Sequence, residues 1–74
     1  MQLNIILQAI AKNTRKSYEG LCADLRKKRA LAHARFTTFK AHGHSFTLWV
    51  IGDRAELKCA DPQALASMKA ELGL

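Results

Sequence analysis

Apolar positions along the chain follow two different periods, and the change falls near residue 34. Leu3, Ile6, Leu7 and Ile10 sit at i, i+3, i+4 and i+7, the stripe of an amphipathic helix. Ile5 and Ala9 thicken that stripe. The alternation Leu3, Ile5, Leu7, Ala9 also fits a strand, and Ile5-Ile6 are β-branched; helix is the favoured assignment. Lys12-Asn13-Thr14 reads as its end, with Asn13 or Thr14 placed to cap the next helix. A second helix is predicted from about Thr14 to Lys28 or beyond, with Tyr18, Leu21, Cys22 and Leu25 on one face. Gly20 inside it costs ~1 kcal/mol relative to Ala, which points to close packing against a neighbour. Arg29 falls on the apolar stripe, so the helix is expected to end, bend or shift face there.

After Ala34 the period shortens to two. Arg35 to Lys40 is rich in aromatic and β-branched residues and reads as a strand. Ala41-His42-Gly43-His44 supplies a turn, with Gly43 free to take positive φ. Ser45 to Ile51 places Phe46, Leu48 and Val50 on one face and Thr47, Trp49 and Ile51 on the other. Gly52-Asp53 is a second turn, and Arg54 to Ala60 alternates Ala55, Leu57 and Cys59 inward with Glu56 and Lys58 outward. Asp61-Pro62 starts a helix with a mechanism: Asp61 caps, and Pro62 loses no needed hydrogen bond at the first helical position. Leu65, Met68 and Leu72 line its face, and Gly73 follows its end. The pattern is an α+β domain of order ααβββα: helical over 1–32, a three-stranded antiparallel meander over 33–60, and a closing helix over 61–73. With apolar side chains on both faces, the second strand is expected at the sheet's centre, covered on both sides.

Size and composition narrow the setting. A chain of 74 residues is one domain. It buries roughly 60% of the surface that its unfolded form exposes, so a staple or partner subunit is a common addition. The apolar first helix asks for more cover than so short a chain easily gives, which suggests a homodimer through that helix. Cys22 and Cys59 are isolated from each other and form no spaced motif, and are expected to be free thiols, with a disulfide between them left open. The first basic residue, Lys12, follows the early apolar run rather than preceding it, which argues against a secretory leader. Leu3 to Ala11 is too short to span a bilayer. A cytoplasmic location, no membrane and no cofactor are expected.

Charge changes the picture most. The net charge is +6. Nine basic residues lie between Lys12 and Lys40, opposed only by Glu19 and Asp24, so that segment carries +7. From Gly52 to Leu74 three basic residues face four acids, giving −1. A concentrated positive field attracts polyanions, with phosphate backbones the commonest. The run Arg26-Lys27-Lys28-Arg29 taken alone is equally a solvated helix face.

Several constellations compete to carry chemistry. A metal site from His33, His42, His44, Cys22 and Cys59 lacks the two close-spaced pairs of structural zinc sites, so no metal is expected. His42 or His44 suits acid–base work near neutral pH, with Lys40 or Arg35 stabilising a phosphorane-like transition state. Gly43-His44 entering the second strand, with the closing helix Ala64 to Leu72 followed by Gly73-Leu74, resembles the HicA-type mRNA interferases over roughly the last 60 residues. That resemblance implies a double-stranded-RNA-binding-like fold and a ribonuclease role for His44 or His42. The apolar first helix is outside its pattern. Two helices within residues 3–32 also allow a helix-turn-helix, without its small turn residue. Finally, a three-stranded sheet backed by helices can lay its outer face on nucleic acid. Here that face shows Thr47, Trp49 and Lys58, with Arg35 or Lys40. If Trp49 is instead core under the first helix, the interface passes to the second helix and the Arg26–Arg29 run.

These observations point first to a small basic nucleic-acid-binding protein of accessory or regulatory role, without catalysis. Lys12, Arg15, Lys16, Arg26, Lys27, Lys28, Arg29, Arg35 and Lys40 are the phosphate contacts expected of it. A protein-interaction module docking on an acidic partner comes second, and a HicA-like ribonuclease third.

Overall fold

The computed structural model describes residues 3–27, the backbone of 29–31, and 34–74. Two N-terminal helices precede an antiparallel meander, and a helix closes the chain: α1 Leu3–Asn13, α2 Tyr18–Lys27, then strands, then α3 Pro62–Leu72. The meander is β2 Ala34–Ala41, β3 His44–Ile51 and β4 Arg54–Cys59. A three-residue strand, β1 Arg29–Leu31, joins it at the edge, giving the spatial order β1-β2-β3-β4. The expected ααβββα order thus stands, with this short edge strand added.

Both hairpins follow from two-residue loops. Ala41 pairs with His44 across His42-Gly43, and both loop residues have positive φ, at 55° and 77°. That is the type I′ pattern, whose twist matches the flanking strands. Ile51 pairs with Arg54 across Gly52-Asp53, with φ 61° at Gly52, as a type II′ turn requires at its first loop residue. These turns fix the register. On one face Phe39, Phe46 and Cys59 lie in a row, as do Thr37, Leu48 and Leu57.

All three helices contribute to a core on that one face. Ile6, Leu7 and Ile10 from α1, Leu21 and Leu25 from α2, and Met68 and Leu72 from α3 pack with Phe39, Phe46, Leu48, Val50 and Leu57. The expectation that β3 is covered on both sides is therefore corrected. Trp49 and Thr47 are half-buried and Ile51 is 43% exposed, because the helices spend their apolar stripes on the opposite face. α1 likewise hides Ile6, Leu7 and Ile10 within the chain and leaves Ile5 as its large exposed apolar side chain, at 58%.

The junction between α1 and α2 differs from expectation. Asn13 and Thr14 close the first helix instead of capping the second: Asn13 Nδ2 donates to the Ala9 carbonyl at 2.9 Å, and Thr14 Oγ1 to that of Ile10 at 2.8 Å. Each side chain thus reaches the carbonyl four residues back and adds a hydrogen bond to the last turn of α1. Ser17 is the cap of α2; its Oγ accepts from Gly20 N at 3.0 Å. A Cβ on Gly20 would stand 3.2 Å from that same Oγ, so the close neighbour foreseen for Gly20 is its own helix cap. At the other end, α2 stops at Lys27, ahead of Arg29, and the chain turns into β1; the helical segment is thus shorter than the expected 1–32. Burying Arg29 on the stripe continued from Leu21 and Leu25 would place a charge in the core.

α3 is capped at both ends as foreseen. Asp61 Oδ1 accepts from Gln63 N at 2.9 Å and Ala64 N at 3.3 Å. Gly73, at φ 73°, donates to Ala70 O at 3.3 Å, and Leu74 N donates to Lys69 O at 2.9 Å, completing a Schellman closure. No described helix is long and apolar enough to cross a membrane.

Candidate nucleic-acid interface

The fold sorts the basic residues into separate groups. Lys12 ends α1, Arg15 and Lys16 lie in the link to α2, and Lys40 nears the end of β2. Together with His42 they line a shallow cleft of about 670 Å³. Residues far apart in sequence meet there because the α1–α2 link lies beside the β2 edge. Lys16 makes that connection. Its Nζ donates to Asp24 and, at 2.7 Å, to the Thr38 carbonyl. Asp24 also accepts from the fully buried Thr37 hydroxyl at 2.8 Å. Lys16 is thus a tether of the link to the sheet, its charge already met by a carboxylate. Among the described residues, Lys12, Arg15 and Lys40 form no ion pair and are exposed.

The second group lies elsewhere. Arg26 and Lys27 are exposed at the end of α2, where cations also complement the helix dipole. Arg35 pairs with Val50 and so stands on the helix side of the sheet, in a small recess with Leu25, Arg26 and Cys22. Of the two residues offered for the outer sheet face, only Lys40 is there, opposite Ser45. Lys28, His33 and the Arg29 side chain lie outside the described residues.

Both turn histidines face carboxylates near α3. His42 Nε2 is 3.4 Å from Glu71 Oε1, and His44 Nε2 is 3.8 Å from Asp61 Oδ2. They share a recess with Phe46 and Ser67, so His44 is turned toward α3, and His42 borders both that recess and the basic cleft. Among the described residues no three metal-ligating side chains converge, and Cys22 and Cys59 are free thiols. Tyr18 donates from its hydroxyl to Asn4 Oδ1 at 3.1 Å. Hydrogen bonding with the Cys22 thiol, then burial, raises its pKa above the ordinary 10.0.

The outer sheet face carries a feature that sequence reasoning missed. Phe36 pairs directly with Trp49, ring centroids 4.9 Å apart and tilted by 39°. The signal was available. A two-residue loop at His42-Gly43 forces Ala41 opposite His44, and counting back places 36 opposite 49. Within residues 3–27, α2 packs its Leu21 and Leu25 into the core under the sheet.

The chain is therefore an α+β domain with helices on one sheet face and a mixed aromatic and basic surface on the other. Comparison with protein-family models, curated proteins and solved structures returns no match. The geometry of the molecule alone bears on its function.

Proposed function

We propose that this protein binds nucleic acid, without catalysis, in an accessory or regulatory role, and that it holds phosphates in the cleft between the α1–α2 link and the end of β2. One observation carries this: Lys12, Arg15 and Lys40 come from separate elements to one concave surface, and none of the three has an ion pair among the described residues. Three converging cations with no carboxylate partner attract a polyanion and release its counterions on binding. A merely solubilising charge has no need to converge.

The test is a salt titration of binding to labelled oligonucleotides, read by anisotropy. The variant K12A/R15A/K40A should flatten the log–log slope by about 2 for a single strand, at ~0.7 for each phosphate no longer neutralised. The variant R26A/K27A should change the slope less. The reverse ranking would move the site to the end of α2, and an absence of binding at near-physiological salt would overturn the proposal.

A further inference from the structure

We propose that the open face of the sheet is a base-stacking platform, so that the ligand is a single strand; this rests on the nucleic-acid function proposed above. The face is built in rows by the register. Ala34, Ile51 and Arg54 form a row at one end, Phe36, Trp49 and Glu56 the next, then Thr38, Thr47 and Lys58, and last Lys40 with Ser45. Neither Phe36 nor Trp49 belongs to the core on the helix side or packs against it. Both are partly exposed on the sheet face opposite the helices.

The chemistry of the rows selects the occupant. Two adjoining rings offer π-faces, which any unpaired base can stack upon. On the side toward Lys40, the flanking row has two short hydroxyl side chains, which leave room above the sheet. Lys58 and Lys40 follow, and Lys40 also lines the basic cleft. Successive rows lie about 6.6 Å apart along a strand, so a chain stacked on Trp49 and Phe36 has its backbone led over the threonines to Lys40 and on to Arg15 and Lys12. Glu56 is the one acid among the described residues of this face, and its carboxylate is shared by Arg54 and Lys58, each at 3.6 Å. A duplex keeps its base faces stacked inside and has none to give the rings. A second copy of this chain would bring the same cations against each other across a two-fold axis.

Trp49 is the only tryptophan, so it reports on its own face. A 20-nucleotide oligothymidylate should quench its emission, and a 20-base-pair duplex should not. Trp49→Ala should weaken oligothymidylate binding roughly tenfold, as for one base deprived of its stacking partner, while leaving the salt slope unchanged. K12A/R15A should do the converse, lowering the slope while quenching at saturation persists. Because Trp49→Ala removes part of a cross-strand pair, Thr38→Glu serves as a second variant: that side chain is exposed, and its new charge should weaken single-strand binding by a similar factor. Single-strand binding with no quenching, and with affinity unchanged in T38E, would overturn the platform and leave the basic cleft standing. No binding of any oligonucleotide would overturn both. Dimerisation that T38E abolishes, seen by sedimentation, would put a second copy on the face and overturn the platform.

Discussion

Asp24 joins three parts of the molecule through one carboxylate: α2, which carries it, the link through Lys16, and β2 through Thr37. Thr37 is fully buried, so its hydroxyl depends on that acceptor. Asp24→Ala should lower stability by about 2 kcal/mol in urea unfolding, the cost of stranding a buried polar group. Thr37→Val removes the hydroxyl along with the need for it and should cost less than about 1 kcal/mol in the same assay. Such pairings were not legible in the sequence. Asp24 was counted there only as one of two acids diluting a basic segment, and Lys16 only as one more cation. Which charges are spent inside a fold depends on which faces meet, and residue order does not state that. By contrast, Gly43 announced its own role. Its φ is 77°, and open space lies where a methyl group would be added, with no atom within 4 Å. Gly43→Ala should therefore cost about 1 kcal/mol from backbone conformation alone, measurable as a lowered urea midpoint.

At the scale of elements, the legible parts were those with local chemistry. The Asp61-Pro62 start and Gly73 end of α3, and both hairpin turns, are determined by residues within a few positions of one another. Asp61→Ala should therefore destabilise by about 1 kcal/mol in thermal or urea unfolding, the usual effect of losing such a cap. β1 escaped notice because three residues carry no period, and its pairing with β2 at Arg35 and Ala34 is irregular. That brevity leaves most of the β2 edge beyond Arg35 without a strand partner among the described residues. Lys16 occupies it at the Thr38 carbonyl, an instance of a charged group guarding a sheet edge. Lys16→Ala should increase self-association at high protein concentration, which light scattering would detect, with little change in the salt slope of oligonucleotide binding.

For the whole molecule, the decisive choice is the sheet face that the helices cover. Alternation showed that β3 has two apolar faces, and it could not say which receives the helices, because Phe46-Leu48-Val50 and Trp49-Ile51 both satisfy the pattern. The outcome follows from summed apolar area: Phe39, Phe46, Leu48, Val50 and Leu57 together meet seven helical residues from three elements. The other face keeps one aromatic pair and the exposed Ile51 amid hydroxyl and charged side chains. The candidate site was visible in outline as a positive middle segment. Its division into a cleft, a helix end and a recess beside Cys22 required the fold.

The packing of α1 against α3 has a consequence in time. On a ribosome adding about 5–20 residues per second, α3 is made after every other element described here. Until it arrives, Ile6, Leu7 and Ile10 have only part of their cover, however early α1 itself has coiled. From the time α1 is made the nascent chain therefore carries an adhesive helix, and only the arrival of Met68 and Leu72 completes its shelter.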